Sequence, residues 1–230
     1  MQTKINPEII DLQDLKFLNE YFELLISRIT YSSMSLEPDL GDIVNHRNAI
    51  RLNDNMKAFK ILLTFLNQEL SETEIITIAN MINKSAPFIS DGYRRIGRYI
   101  TDTNIPISAP ENIHKDMLTL LQKYQNNWQD PNLFTREAKF HIDFIRIHPF
   151  EDGNGRTGRL LLNYNLLKQG IAPVIITNDL KEEYENCIQN RDVANLTKLF
   201  EKQSVKELAI INKLYEEYQS RNLNSSKKLK

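Results

Sequence analysis

Residues suited to phosphate chemistry are concentrated between His148 and Arg159. This segment holds a histidine, an aspartate, two arginines and three of the chain's seven glycines, and an apolar helical pattern follows it. Glycines that precede a helix leave backbone N–H groups accessible, and a helix N-terminus attracts anions. Arginines add fixed positive charge that suits phosphate oxygens. We therefore interpret the segment as a phosphate-binding loop with a general base at its edge.

His148 and Asp152 are the candidates for that base and for a cation ligand. Pro149 disfavours helical geometry at His148, so a helix that ends near Ile147 leaves this histidine at a boundary. A histidine can accept a hydroxyl proton near neutral pH. Asp152 offers the hard oxygen ligand that Mg²⁺ prefers. It could also cap the following helix, and the two roles are compatible.

Arg156 and Arg159 are three residues apart, which places both on one face of the first helical turn. Two positive charges held this close repel each other unless a polyanion lies between them. This spacing supports the interpretation of the segment as a phosphate-binding loop.

The glycines of the loop also match the dinucleotide-binding pattern G-x-G-x-x-G. In that fold a strand precedes the glycines, whereas residues 134–145 repeat apolar side chains at helical spacing. The rest of the chain shows no further alternation of strands and helices. No Gly-Lys-Ser/Thr follows the glycines, so the loop is not a Walker A motif either. We therefore disfavour a dinucleotide-binding fold.

Helical periodicity dominates the whole chain and predicts one mainly helical, all-α domain. Apolar residues recur at three- and four-residue steps in eight segments: 10–29, 48–66, 73–82, 110–124, 133–147, 155–169, 177–189 and 193–218. Ser71 to Glu74 resembles a capping box, and Gly170 is placed to end the helix over 155–169. That helix is nearly all apolar after its first turn, so we expect it at the centre. Residues 95–104 alternate like a short hairpin.

Composition and net charge exclude some classes of function. The chain is 41% hydrophobic and 26% charged with a net charge of −1, which excludes nucleic-acid binding through bulk positive charge. No apolar run approaches the roughly 18–20 residues of a membrane span, so we expect neither a membrane nor a nucleic-acid partner. The single Cys187 suits a reducing compartment, and we expect the protein in the cytoplasm.

The loop segment resembles the signature of the Fic family, H-x-F-x-(D/E)-G-N-G-R-x-x-R. The match covers every signature position: His148, Phe150, Asp152, Gly153, Asn154, Gly155, Arg156 and Arg159. The second glycine and the final arginine separate it from the Doc-like branch, which acts as a kinase. The resemblance implies a Fic-type helical domain with a short β-hairpin flap. It divides the chain into an N-terminal region with an inhibitory helix (1–45) and a catalytic domain (46–220). Residues 221–230 are polar and basic without apolar periodicity, so we expect a disordered tail there.

The resemblance also implies a protein adenylyltransferase, which moves AMP from ATP to a Ser, Thr or Tyr hydroxyl of a target protein or of itself. His148 would take the hydroxyl proton, Asp152 would hold Mg²⁺ on the α- and β-phosphates, and Arg159 would grip the γ-phosphate. The implied nucleotide-binding residues of the loop are Gly153, Asn154, Gly155, Arg156, Thr157, Gly158 and Arg159. A homo-oligomer that regulates the enzyme is compatible with this resemblance.

Two further segments resemble the family outside the loop. The region from Gly92 to Arg94, with Tyr99, Ile100 and Thr101, is similar to the flap that aligns the target peptide. Tyr184 and Asn190 are similar to the downstream nucleoside-contacting region, although the spacing before Asn190 is shorter than usual.

Ser33 and Glu37 fit the family's inhibitory pattern (S/T)-x-x-x-E, N-terminal to the catalytic motif. A carboxylate one helical turn from Ser33 could pair with Arg159 in place of the γ-phosphate, although an isolated Ser-x-x-x-Glu is more often a surface pattern. Pro38 stands where the family usually has Gly or Asn, and it would still end the helix after Glu37. We expect an auto-inhibited enzyme. The alternatives are a related Fic-type transfer, removal of AMP by water, or a non-catalytic nucleotide-sensing module.

Overall fold

The fold is given by a computed structural model that describes residues 3–5, 15–37, 46–66, 68–86, 89, 91–97, 105–126 and 130–227. Within these residues the α-helices are α1 (Leu15–Ser35), α2 (His46–Thr64), α3 (Glu72–Ile82), α4 (Ile113–Gln125), α5 (Leu133–Ile147), α6 (Asn154–Lys168), α7 (Lys181–Gln189) and α8 (Val193–Lys227). Short 3₁₀ turns, Pro110–Asn112 and Asn178–Leu180, precede α4 and α7. The described β structure is one isolated bridge between Lys4 and Ile171.

The all-α architecture predicted from periodicity is confirmed. Ser71 and Glu74 form the predicted capping box at the start of α3, because the Ser71 side chain accepts the Thr73 N–H and the Glu74 side chain accepts the Ser71 N–H. Gly170 follows α6 with a left-handed φ of 66°, as expected for a glycine after a helix end. None of the described helices is long and apolar enough to cross a membrane.

Two helix ends differ from the sequence prediction. α1 continues to Ser35 rather than ending near Ile29, because Met34 is fully buried and extends the packed face. α8 continues through Lys227, where the polar composition predicted a disordered tail over 221–230. Adding residues to an existing helix costs little free energy, so polarity alone does not end it.

The predicted hairpin over residues 95–104 lies mainly outside the described residues. This applies to all three flap residues, Tyr99, Ile100 and Thr101. The described flanks, 91–97 and 105–109, contain no strand.

α6 lies at the centre of the fold, as its apolar sequence predicts. Nearly every residue from Asn154 to Leu166 is buried, and the helix packs against α1, α2, α3 and α5. Leu161 belongs to a hydrophobic cluster formed with α3, α4, α5, α7 and α8, and Leu160 to a second cluster formed with α1, α2, α3 and α8. A helix that is buried on all sides positions the loop before it rigidly.

α1 shares the second cluster with the C-terminal helix. The Phe17 ring lies 5.1 Å from the Tyr215 ring and 5.3 Å from the Tyr218 ring, measured between centroids. Tyr21 and Leu25 continue the same buried face. The predicted regions 1–45 and 46–220 therefore fold around a common core.

α5 brings the chain to the start of α6. The Asn132 side chain caps α5 by accepting the Thr135 N–H, and the helix ends at Ile147. His148 then leaves the right-handed helical region, as expected before Pro149, but takes a left-handed conformation with φ 51° instead of the extended one that a following proline favours. The chain turns there and returns toward the core as α6.

Candidate functional site

The loop between α5 and α6 is held by contacts within the protein. Asn154 accepts the Phe150 N–H at 2.9 Å and donates to the Phe150 carbonyl at 2.8 Å. The Phe150 ring is buried and packs against Tyr93 and Phe144. Because the Asn154 amide is used within the loop, an anion at this point would meet its backbone N–H.

His148 is held through its main chain by Arg94. The Arg94 Nε donates to the His148 carbonyl at 2.7 Å, and its terminal nitrogens donate to the carbonyls of Ile96 and Ser108. The Arg94 N–H also donates to the Pro149 carbonyl at 2.9 Å. A left-handed conformation at a residue other than glycine costs about 1–3 kcal/mol. The buried Arg94 offsets this cost and fixes the starting point of the half-buried His148 side chain.

α6 begins without a side-chain cap. Its N-cap is Gly153, which has a left-handed φ of 77° and makes no side-chain bond to the first turn. The first helical bond runs from the Thr157 N–H to the Gly153 carbonyl at 2.8 Å. The N–H groups of residues 154–156 therefore have no carbonyl partner within the helix. Such a terminus is suited to binding an anion.

Arg156 is buried at this terminus, with 1% of its side chain exposed. Its Nη2 donates to Asp152 Oδ2 at 3.0 Å and to Asn83 Oδ1 at 3.3 Å. Its Nε and Nη1 have no hydrogen-bond partner within the described part of the chain. Unsatisfied donors on a buried guanidinium cost free energy that an added anion would recover.

Asp152 accepts three hydrogen bonds. The Gly153 N–H donates to Oδ1 at 2.6 Å, and Oδ2 accepts from Arg51 at 2.7 Å and from Arg156 at 3.0 Å. Burial disfavours the charged form, but Arg156, the Gly153 N–H and Arg51 together outweigh burial and lower the pKa of the carboxyl group. Asp152 is therefore ionised at neutral pH.

A magnesium ion fits this carboxylate as one of its ligands. The side chain is ionised and 34% exposed, so a cation can reach it. The described residues contain no group of three or more His, Cys, Asp or Glu side chains placed to hold a metal. Mg²⁺ is often held by one or two carboxylates together with substrate phosphates. A cation at Asp152 would depend on phosphates and water for its other ligands.

Arg159, one turn further along α6, is occupied by the end of α1. Its Nε donates to Ser33 Oγ at 2.7 Å, and its Nη2 donates to the Ser33 carbonyl and to Glu37 Oε1, each at 2.7 Å. The side chains of Arg159 and Glu37 are 7% and 22% exposed. Gly155 permits this approach, since a Cβ there would lie 2.9 Å from Arg159 Nη1 and 3.3 Å from Glu37 Oε1.

Tyr184 and Asn190 lie on α7 and at its end, in different surroundings. The Tyr184 hydroxyl is buried and hydrogen-bonds His141 Nε2 at 2.6 Å. Burial, and then the charge of Arg159, lower the pKa of His141 to about 3, so this imidazole is neutral at pH 7. Asn190 is exposed and donates to the Asn186 carbonyl at 3.0 Å. The structure therefore places Tyr184 in the buried surroundings of Arg159, and Asn190 at the surface.

Thr157 and Gly158 face the interior of the fold. Thr157 is fully buried, and its backbone N–H makes the first bond of α6. Gly158 lies where α5 and α6 cross, and a Cβ there would be 3.1 Å from His141 Cε1. Both residues are placed to support the helix that carries the arginines.

Two residues that hold the loop were not identified from the sequence, and a third was assigned only to the flap. Asn83, at the end of α3, donates to the Asp152 carbonyl at 2.8 Å, and Arg51 pairs with the Asp152 side chain. Arg94 is the residue that the sequence placed in the flap. The position of Asn83 at the end of a helical pattern is a weak signal. Nothing in the sequence connects Arg51 with a residue 101 positions later.

Comparison with known proteins gives consistent matches. Residues 69–166 match the model of the Fic/DOC family. The chain is 30% identical over 149 residues to the protein adenylyltransferase Fic of Nematostella vectensis, covering 62% of this chain and 33% of that protein. It is 30% identical over 159 residues to the protein adenylyltransferase fic-1 of Caenorhabditis elegans, covering 64% and 30%. The chain thus spans about a third of the length of these relatives.

The fold is also similar to that of a solved protein. A Fic domain containing signaling protein from Bacteroides thetaiotaomicron superposes with a TM-score of 0.72 at 23% identity, covering 92% of this chain and 91% of that one. Identity at this level shows the fold. The predicted Fic-type helical architecture is confirmed.

Proposed function

Because the chain belongs to the Fic/DOC family through residues 69–166, we propose that it is a protein adenylyltransferase. It transfers AMP from ATP to a Ser, Thr or Tyr hydroxyl of a target protein, and to itself. The relatives from N. vectensis and C. elegans are named protein adenylyltransferases, which supports the assignment. The observation that carries it is the meeting, in one loop, of a histidine, an ionised carboxylate and an uncapped helix N-terminus with a buried arginine.

In this proposal His148 is the general base. It accepts the proton of the target hydroxyl while the oxygen attacks the α-phosphorus of ATP. The new P–O bond forms as the bond to the β-phosphate oxygen breaks, and pyrophosphate leaves. The bond from Arg94 to the His148 carbonyl supports a fixed starting position for the imidazole. A positioned base contributes about 10²–10⁴ to the rate.

The start of α6 binds the phosphates. Backbone N–H groups of Asn154, Gly155 and Arg156 are fixed donors for charge that develops on the phosphate oxygens. The unsatisfied donors of Arg156 support this role. Arg159 grips the γ-phosphate, and Tyr184 and Asn190 belong to the nucleoside side of the site.

Asp152 binds the Mg²⁺ that accompanies ATP, and its lowered pKa supports this role because the carboxylate stays charged at neutral pH. Held by Asp152, Mg²⁺ would supply positive charge against the phosphate oxygens. The protein's own contribution is to hold the carboxylate in place, through the Gly153 N–H and the bond from Asn83 to the Asp152 main chain.

Ser33 and Glu37 inhibit the enzyme in the conformation described. Glu37 neutralises the arginine that would bind the γ-phosphate, and Ser33 occupies two of its donors. ATP can then bind only without its γ-phosphate contact, in a pose unsuited to transfer. Productive binding requires that Glu37 leave Arg159.

The proposal is tested by labelling with ATP that carries ³²P at the α-phosphate. The Glu37→Gly protein should incorporate label into itself or into lysate proteins, and the Glu37→Gly/His148→Ala protein should do so about 10²–10⁴ times more slowly. Equal labelling by both proteins would contradict the role of His148. Intact-mass measurement of the product distinguishes AMP from another transferred group. Loss of AMP from a pre-labelled target would indicate removal by water, and ATP binding without any reaction would indicate a sensing module.

A further inference from the structure

Asp152 is shared between two arginines that differ in exposure and in the number of their other contacts. Arg156 lies on the same loop and helix, is 1% exposed and is also bound to Asn83. Arg51 comes from α2, is 16% exposed and reaches Asp152 Oδ2 at 2.7 Å. Among the described residues, its side-chain contact with the loop is the ion pair with Asp152. Arg51 can therefore leave the carboxylate at a lower cost than Arg156.

Two charged residues from the N-terminal part of the chain, Glu37 and Arg51, form ion pairs with the segment from Asp152 to Arg159. Glu37, just after α1, is paired with Arg159, and Arg51, early in α2, is paired with Asp152. The negative charge meets the arginine assigned to the γ-phosphate. The positive charge meets the carboxylate assigned to the cation. The two contacts have opposite signs, as do the two parts of a magnesium–nucleotide complex.

We propose that Arg51 is a further residue of this site, which occupies the cation position at Asp152 while Glu37 occupies the phosphate position at Arg159. The inference rests on the proposed function, because it takes Asp152 as the cation ligand. A divalent ion that binds Oδ2 must displace the Arg51 guanidinium. Glu37 therefore competes with the nucleotide's γ-phosphate for Arg159, and Arg51 competes with the metal ion for Asp152.

The direct test is the affinity for Mn²⁺, used as a paramagnetic probe in place of Mg²⁺ and measured by electron paramagnetic resonance without nucleotide. The Arg51→Gln protein should bind Mn²⁺ about fivefold more tightly than the wild type, the factor expected for removing one partly exposed ion pair. Arg28→Gln, which removes an arginine paired with Glu207, is the matched control and should leave the affinity unchanged. Unchanged or weaker binding by Arg51→Gln, or an equal gain in Arg28→Gln, overturns the inference.

The Asp152→Asn variant separates this inference from the proposed function. If it does not weaken Mn²⁺ binding, both the cation site and the role of Arg51 are rejected. If it weakens binding while Arg51→Gln changes nothing, only the role of Arg51 is rejected.

A second measurement distinguishes direct occupation from a general charge effect. The guanidinium ¹⁵N–¹H signal of Arg51, identified by its loss in Arg51→Gln, should show restricted motion in the metal-free protein and faster motion after Mg²⁺ and ATP are added to the Glu37→Gly protein. A signal that does not change, in a sample where the cation is bound at Asp152, overturns the inference.

Discussion

The Glu37 carboxylate lies 2.7 Å from Arg159 Nη2, and the two residues are 122 positions apart in the sequence. The pair closes the site from the N-terminal side. It also makes the accessibility of Arg159 depend on one side chain that is 22% exposed. Removing Glu37 should change activity far more than it changes stability, because the buried Arg159 keeps its hydrogen bonds to the Ser33 hydroxyl and carbonyl.

The first prediction follows from that pair. Glu37→Ala should raise the rate of AMP incorporation at least about tenfold, since a released Arg159 can form a charge-assisted bond worth about 1.5–3 kcal/mol to the γ-phosphate. The rate is measured with α-labelled ATP. Glu23→Ala is the matched control, because it removes a glutamate on α1 whose ion pair with Lys60 is exposed. A similar increase in both variants would show that the effect does not come from Arg159.

The second prediction concerns Arg94. Arg94→Ala removes the donors for three carbonyls around His148, and it should lower the free energy of unfolding by about 2–3 kcal/mol. In the Glu37→Ala background it should also lower kcat with little change in the KM for ATP, because the proposed role of His148 is in the chemical step. Urea unfolding and steady-state kinetics measure the two effects. Arg95→Ala, at the exposed neighbouring position, should change neither quantity. A rise in KM with kcat unchanged would contradict the positioning of His148.

The third prediction concerns Gly155. A Cβ at this position would crowd the Arg159 guanidinium at 2.9 Å, so Gly155→Ala in the Glu37→Ala background should weaken ATP binding about tenfold, which corresponds to about 1.4 kcal/mol. Folding should not suffer, because alanine is favoured over glycine inside a helix. Isothermal titration with ATP measures the affinity. Gly97→Ala, where a Cβ would meet none of the described residues within 4 Å, is the control, and equal affinities in the two proteins would contradict the prediction.

The fourth prediction concerns stability and pH. Glu137 is fully buried between Tyr124 and Asn165, and burial raises its pKa to about 7 despite their hydrogen bonds. The folded state then holds a proton that the unfolded state releases above about pH 4.5, so stability falls as pH rises toward 7. Relative to Glu137→Gln, the wild type should lose about 2–3 kcal/mol between pH 5 and pH 8. Urea unfolding at both pH values measures this difference, and parallel curves for the two proteins would contradict it.

The sequence was sufficient to predict the described helices, apart from the C-terminal ends of α1 and α8, and the position of the loop between α5 and α6. Periodicity predicts α5 and α6, the dipeptide of His148 and Pro149 predicts the end of α5, and the glycines predict the start of α6. These features are local, so spacing reveals them. The signature positions indicate which charged residues of this segment belong to the candidate site.

The contacts between helices far apart in the sequence could not be predicted from the spacing of residues. Arg51 and Asn83 reach Asp152 because α2 and α3 pack near the loop. Such packing depends on how the whole core fits together. The sequence alone does not indicate that two distant charged residues form an ion pair. The Asn154 amide illustrates the same limit, because its bonds to Phe150 depend on the shape of the folded loop.

The packing of α1 against α8 restricts how the proposed inhibition can be relieved. Burying an aromatic or branched side chain contributes about 1.5–3 kcal/mol, and α1 buries Phe17, Tyr21, Leu25, Ile26 and Ile29. Detaching α1 would therefore cost about as much as the 5–15 kcal/mol that holds a whole domain together. Activation by lifting the helix away would amount to partial denaturation. A change of rotamer at Glu37 with α1 left in place requires far less free energy, so a regulator of the proposed adenylyltransferase needs to supply only a few kcal/mol.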